Sequence, residues 1–311
     1  MISAMNKSNN PIKQLAIIGA TASGKSALAV EIAKEYDAII LSLDSLAIYK
    51  EIDIVSAKPT MEERDGIEHY GIDILYPNES FDVTLFMKLY QDIYHKAQER
   101  EKNLVIVGGT GFYLKSMIDG ISPLPKLSIS EQERVANEMR DMDSAYKRLA
   151  ELDPTTMNMI KSNDKYRIEK ALAIYVATDT IPSLYFQENP PIPTIIGKLP
   201  IYSIDTPREV LRKRIAKRTE EMLRIGLIDE VTELEYRYSR TPNAMKAIGI
   251  IETLSYLDGY LNRVELIEKI TTNTARLAKR QNTFNKSQFG DTISLGLEEL
   301  RMKILGDICR V

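Results

Sequence analysis

The sequence predicts an α/β fold, a parallel sheet flanked by helices, with a helical insertion mounted on it. Two observations carry this. Short apolar runs recur at 14–18, 38–43, 104–107 and 199–204 without polar alternation, as strands buried on both faces require. Helical spacing fills most of the intervals, and strands alternating with helices wind into a parallel sheet through right-handed crossovers.

Residues 1–13 read as a polar tail. The first strand, 14–18, ends at a glycine, and a helix over 27–36 follows. The second strand, 38–43, ends at Asp44. A helix over 81–102 leads into the third strand, 104–107, which breaks at Gly108 and Gly109. The fourth strand, 199–204, is followed by Thr206-Pro207 at a helix start, and the chain then reads as helical to about Phe284. Between the third and fourth strands there is no strand signal. A proline-marked segment at 122–126 opens this stretch, Asn189-Pro190-Pro191-Ile192-Pro193 closes it, and helical patterns at 130–152 and 165–177 lie inside. The expected domains are therefore 12–121 with 195–311, an α/β core with a helical C-terminal part, and 122–194, a helical insertion.

At 311 residues, 44 % hydrophobic and 27 % charged, the chain can bury a sizeable core and has the composition of a soluble globular enzyme. One cysteine, Cys309, excludes a disulfide framework or a Cys-rich zinc site. Two histidines, His69 and His95, leave no basis for a His-rich metal centre. No apolar run approaches the roughly 18 residues of a membrane span, and the N-terminus lacks the apolar core of a signal peptide. A cytoplasmic monomer without membrane contact is expected. A net charge of −3 argues against a general nucleic-acid binder. Screening confines each charge to about 8–10 Å, however, so a local basic face remains open.

Chemistry enters at Gly19, Ala20, Thr21, Ala22, Ser23, Gly24, Lys25 and Ser26, which match G-x4-G-K-[ST] between a strand and a helix. The expected fold is therefore P-loop NTPase-like. Glycines let backbone N–H groups curl around phosphate oxygens, and the helix N-terminus adds partial positive charge. Lys25 reaches the terminal phosphates, and the Ser26 hydroxyl can join a hydrated Mg²⁺. A diphosphate or triphosphate is expected here. ATPases and GTPases place an acidic residue at the end of another buried strand. Here the third strand ends instead in Gly108-Gly109-Thr110-Gly111, a second glycine loop facing the strand-end crevice where such sheets bind ligands. The acidic strand end is Asp44, either a magnesium-sphere ligand or a base facing an acceptor.

With both loops placed, the chain resembles the tRNA dimethylallyltransferase family from Gln14 to about Lys286. The motifs stand as GATASGKS (19–26), SLDSLAIYK (42–50), SAKP (56–59), VGGTGFYLKSMIDGISPLP (107–125), NDKYRIEKAL (163–172), AIG (247–249) and AKRQNTF (278–284). The resemblance implies transfer of a dimethylallyl group from dimethylallyl diphosphate to N6 of the adenosine 3′ to the anticodon, with release of diphosphate. It implies the donor's diphosphate in the P-loop, Asp44 accepting the N6 proton, Thr110 at the leaving oxygen and Arg218 on the diphosphate. Contacts to the tRNA anticodon stem-loop would come from Asp44, Ser45, Leu46 and Ala47, from Thr110, from Tyr166, Arg167, Ile168, Glu169 and Lys170, and from Lys279, Arg280, Gln281 and Thr283. The target base would be flipped out of its loop. Common members have glutamine at Ala47, arginine at Lys170, Tyr-Lys or Tyr-Arg at Ile250-Ile251 and tryptophan at Phe284.

Residue patterns carry part of this unaided. At about 100° per residue, Leu211, Ile215 and Met222 align as a buried stripe with Arg218 at its edge, while Arg212, Lys213 and Lys217 point away. An arginine beside a buried stripe needs an anion, either a structural carboxylate or a ligand. Along 264–284, Ile267, Ile270 and Leu277 lie opposite Arg276, Lys279, Arg280 and Thr283, which read as a solvated face or a tRNA surface. Tyr166, Arg167 and Lys170 follow a helix cap at Asn163-Asp164 and read either as solvent charges or as tRNA contacts. Two other functions share the P-loop. A small-molecule or nucleotide kinase would need an arginine-rich lid, for which the insertion has few candidates. A non-catalytic ATP-binding regulator would leave Asp44 and the second glycine loop without a purpose.

Overall fold

The structure, a computed structural model, describes residues 12–309. Residues 1–11 of the tail expected over 1–13, and the final residues 310–311, lie outside the described residues. The chain folds as two compact units, one formed by the chain up to Ile118 together with the chain from Thr194, the other by Asp119–Pro193.

The first unit is built on six parallel strands: β1 (Gln14–Gly19), β2 (Ala38–Ser42), β3 (His69–Tyr70), β4 (Asn103–Gly108), β5 (Ile201–Ile204) and β6 (Ile293–Leu295). Their order across the sheet is β3-β2-β4-β1-β5-β6. The α/β class read from the sequence is thus the fold observed. β1 lies beside β4 in the register Gln14–Leu104 to Ile18–Gly108, so the two glycine loops leave the same sheet edge side by side. β2 pairs with β4 on its other side, Ser42 opposite Val107. Three adjacent strands therefore deliver the P-loop, the Gly-Gly-Thr loop and Asp44 to one crevice. Gly108 permits this, because a Cβ there would lie 2.3 Å from the Leu43 carbonyl oxygen.

Both faces of the sheet are covered, which is why its strands read as unbroken apolar runs. Ala16, Ile18, Ile39, Leu41, Leu104 and Ile106 pack on one side with Phe86, Tyr90 and Ile93 of α3 (Val83–Glu99). Leu15, Ile17, Ile40, Val105 and Val107 pack on the other with Leu28 and Ile32 of α1 (Lys25–Glu35). The remaining early helices are α2 (Met61–Arg64) and α4 (Gly111–Asp119). α10 (Arg208–Arg224), α11 (Leu227–Tyr238), α12 (Ile250–Leu257) and α13 (Arg263–Gln288) form the helical C-terminal part. The sequence pattern assigns nothing to the chain beyond 286. There, β6 extends the sheet beside β5, and α14 (Leu297–Ile308) packs Leu300 and Ile304 onto the core.

The second unit holds α5 (Ile129–Glu138), α6 (Met142–Leu152), α7 (Pro154–Met157), α8 (Lys165–Thr178) and α9 (Pro182–Glu188). The single helix expected over 130–152 is two. Asp141 accepts the Ser144 N–H at 3.1 Å and caps α6, ending the first helix just before it. Val135, Leu149, Met157, Ile168, Ala171 and Leu172 make this unit's own core. Among the described residues no helix is long and apolar enough to cross a membrane.

Candidate active site

The three loops open onto a cavity of about 710 Å³ within the first unit. One part of its lining is polar: Thr21, Ala22, Lys25, Asp44, Gly109, Thr110 and Arg218. Another is apolar and includes Leu46, Tyr49, Val55, Phe81, Met222, Ile270 and Phe284.

The cradle follows from local backbone chemistry. Gly24, at φ 98°, starts α1 from the left-handed region that glycine occupies without cost, and no side chain caps the helix. The first N–H groups of α1 therefore have no partner in the helix and favour an anion. Among the described residues Lys25 Nζ donates only to the Ala20 carbonyl, at 3.3 Å. Burial pulls its ammonium down to about 8; Asp44 raises it in part and Arg218 lowers it further. The same burial lowers the Arg218 guanidinium, with Asp44 and Glu63 opposing. Among the described residues Arg218 has no carboxylate within ion-pairing distance, so the structural salt bridge weighed for it is not formed. On α10, Leu211, Ile215 and Leu223 are buried, whereas Met222 is half-buried, packed against the core and also lining the cavity.

Asp44 sits just beyond β2. Its Oδ1 accepts the backbone N–H groups of Leu46 at 2.9 Å and Ala47 at 3.2 Å, which fixes the carboxylate on the cavity lining. Tyr113, on the cavity wall, is pushed up to about 12 by burial, then by Tyr49 and Asp44, and stays a neutral phenol. Thr110 lines the cavity with Gly109 and Gly111. Ser26 is exposed at the first turn of α1.

The residues expected to touch an acceptor divide. Lys279, Arg280 and Thr283, with Arg276 and Ser287, line a second depression along α13, and Arg280 also borders the main cavity. Tyr166 and Arg167 are exposed on the first turn of α8, Asp164 capping the helix at the Arg167 N–H and pairing with its guanidinium at 3.5 Å. Lys170 lies over the Tyr166 ring at 5.5 Å, and Glu169 is half-buried. Ser45 is exposed and Leu46 lines the cavity.

Three of these residues are placed otherwise. Ile168 is fully buried in the core of its own unit, because the i, i+3, i+4, i+8 spacing of Ile168, Ala171, Leu172 and Val176 is the inward face of α8. Ala47 is buried at 3 % exposure, its N–H taken by Asp44. Gln281 turns inward: its Oε1 accepts the Thr21 N–H at 2.8 Å, and its Nε2 lies where a Gly109 Cβ would be, 2.5 Å away. It straps the two glycine loops together.

Sequence reasoning missed what holds the cavity wall. Glu230 of α11 accepts three successive backbone N–H groups, Asp53 at 2.9 Å, Ile54 at 2.7 Å and Val55 at 3.0 Å. Lys58, of the SAKP segment, donates to the Tyr49 carbonyl and to Asp53 and Asp73, each at 2.6 Å. Together they pin the loop that presents Val55 and Ser56 to the cavity. The lysine within a quoted motif was the available signal; Glu230 had none.

Sheet order, paired glycine loops and a cavity lined on one part by polar and on another by apolar groups define an α/β protein with its candidate site at one end of the sheet. Likeness to known proteins makes the family plain. The family described as IPP transferase matches residues 47–288. A tRNA dimethylallyltransferase of Sulfurovum sp. (strain NBC37-1) is 59 % identical over 297 residues, covering 96 % of this chain and 99 % of that protein. One from Helicobacter pylori (strain J99) is 42 % identical over 95 % of this chain and 94 % of its own length. The solved tRNA isopentenylpyrophosphate transferase of Bacillus halodurans superimposes with a TM-score of 0.70 at 30 % identity, covering 96 % of each chain. A eukaryotic dimethylallyltransferase acting on tRNA gives 0.81 at 26 % identity, over 91 % of this chain and 74 % of that one. This chain belongs to the IPP transferase family, the tRNA dimethylallyltransferases.

Proposed function

We propose that this enzyme moves the dimethylallyl group from dimethylallyl diphosphate to N6 of the adenosine 3′ to the anticodon in tRNA, releasing diphosphate. One observation carries the reading: one cavity presents two cations, Lys25 and Arg218, that form no ion pair among the described residues, beside an apolar chamber and a fixed carboxylate, Asp44. Cations held this way favour a diphosphate, the chamber suits a five-carbon chain, and the carboxylate suits an amine that loses a proton. The P-loop takes the donor's diphosphate rather than that of ATP.

In the reaction the C1–O bond of the donor breaks and its electron pair stays on the diphosphate, where Lys25, Arg218 and the P-loop N–H groups stabilise the growing charge. The Thr110 hydroxyl donates to the leaving oxygen. The adenine N6 lone pair forms the new C–N bond, and its proton passes to Asp44 Oδ2. No cluster of three or more His, Cys, Asp or Glu side chains fit for a metal occurs among the described residues. Mg²⁺ would be held by the exposed Ser26 hydroxyl, donor oxygens and water, a set that suits a hard ion keeping most of its shell. Bound there, it would neutralise part of the diphosphate charge. Acceptor contacts come from Ser45, Lys279, Arg280 and Thr283 on the first unit and, separately, from Tyr166, Arg167 and Lys170 on the second. A cytoplasmic monomer free of membranes fits this chemistry.

Incubating purified protein with Mg²⁺, bulk tRNA and either dimethylallyl diphosphate or ATP tests it. Digested tRNA should show adenosine heavier by roughly 68 Da, one C5H8 unit, only with the prenyl donor. ADP formation without prenylated adenosine would overturn the reading in favour of a kinase.

A further inference from the structure

We propose that Arg214 is a positioning residue for the phosphate loop, holding the Ala22–Ser23 backbone in the shape that receives a diphosphate. The inference rests on the assignment of that loop as the diphosphate site.

Three observations converge. Ala22 has φ 63°, a left-handed conformation that a side chain disfavours. Such a residue keeps that conformation only where its surroundings impose it. Arg214 supplies the restraint: its Nη1 donates to the Ala22 carbonyl at 3.3 Å and the Ser23 carbonyl at 3.2 Å, across 192 and 191 positions of sequence. Finally, the Ser23 hydroxyl is buried at 1 % exposure without a hydrogen-bond partner among the described residues, so the loop holds a polar group that its own fold does not satisfy.

Geometry gives these contacts a consequence. In a trans peptide the carbonyl and the next N–H point in opposite directions. Holding the Ser23 carbonyl toward α10 therefore turns the Gly24 N–H away from it, at the start of α1 where N–H groups lack helical partners. Arg214 lies one turn before Arg218, so one helix places one arginine on the cavity and another behind its loop. Both contacts leave from the one nitrogen, Nη1, so a lysine ammonium, with three donors on a shorter reach, can replace them in part.

Binding of magnesium pyrophosphate without tRNA, measured by calorimetry beside the donor KM, kcat and Tm, tests the role. Arg214→Ala should weaken pyrophosphate about tenfold and raise KM more than it lowers kcat. Arg214→Lys should recover part of the loss. Ala22→Gly, which removes the cost of the left-handed conformation, should restore most of the affinity when added to Arg214→Ala. Unchanged pyrophosphate affinity in Arg214→Ala would overturn the proposal. A loss that Ala22→Gly leaves untouched would also overturn it, since Arg214 would then act as a direct anion or tRNA contact. Wild-type protein that binds no pyrophosphate would instead refute the diphosphate site itself.

Discussion

The cations at the end of the sheet and those at the start of α8 live under opposite conditions. Lys25 and Arg218 are desolvated and, among the described residues, lack a carboxylate within ion-pairing distance, so the more distant Asp44 offsets only part of their cost. Arg167 pairs with Asp164, and Lys170 rests over the Tyr166 ring with water at hand. The contrast shows where charge alone is informative. A buried cation without a partner points to a missing anion, whereas a solvated, half-satisfied one is compatible with having no ligand at all.

The largest effect should fall on the desolvated side. Lys25→Ala removes the main point charge on the leaving diphosphate and should slow single turnover by at least about 10²–10³-fold, the range for loss of one preorganised group at developing negative charge. Near-normal single-turnover rates would rule out the site. pH gives a second handle. Donor binding favours the ammonium, so donor KM should climb as pH rises above about 8, where free Lys25 deprotonates. Stability runs the other way. Because the folded value, about 8, lies below the ordinary 10.5, the buried ammonium penalises folding fully below about 8, and that penalty fades as pH approaches 10.5. A Lys25→Met variant should lose both trends, seen in KM–pH and Tm–pH curves.

Asp44→Asn keeps shape and removes the acceptor. Turnover should fall about 10²–10⁴-fold, the span for a positioned acid or base, with donor and Mg²⁺ affinity near normal. A donor affinity that collapses while saturated turnover survives would make Asp44 a metal-sphere ligand instead.

What the sequence revealed and what it hid follow the same physical divide. That the loop at 19–26, Asp44 and Thr110 would meet at one end of the sheet was legible because glycine placement and strand ends dictate local backbone, which few residues specify. Helical phase put Arg218 at the edge of the buried stripe and left its anion open. The inward placement of Ile168, Ala47 and Gln281 was not legible because a motif names neighbours in sequence without saying which face each shows. For Ile168 the 3.6-residue spacing held the answer. β3, of two residues, and β6, of three, are too short to carry a pattern and draw stability from the strands beside them. Gln281, Glu230 and Arg214 act on backbone groups 175 to 260 positions away, a relation that exists only after folding.

On the acceptor side the effects should be smaller and graded by how free each charge is. Lys279 and Arg280 are exposed on α13 and make no ion pair among the described residues. Charge reversal at either should weaken tRNA binding and flatten its salt dependence by about one unit of log–log slope per lost phosphate contact, with donor binding barely altered. An unchanged slope would return that face to ordinary solvation.

The smallest effect separates the two kinds of cation most finely. Arg167 already spends part of its charge on Asp164, and Lys170 on the Tyr166 ring. Each must loosen that contact to reach a phosphate. Arg167→Ala and Lys170→Ala should therefore change the salt slope by less than a full unit each, and affinity by only a few-fold. Tyr166 differs because it offers a face rather than a charge. It is 69 % exposed, so a ring there can stack on an unpaired base. Tyr166→Ala should lower tRNA affinity with no change in slope, since stacking releases no counterions. Tyr166→Phe should keep the affinity. Slope and affinity measured on these variants then sort electrostatic from stacking contacts. If all match wild type in both, α8 carries only solvated charge, and the acceptor surface shrinks to α13 and the cavity mouth.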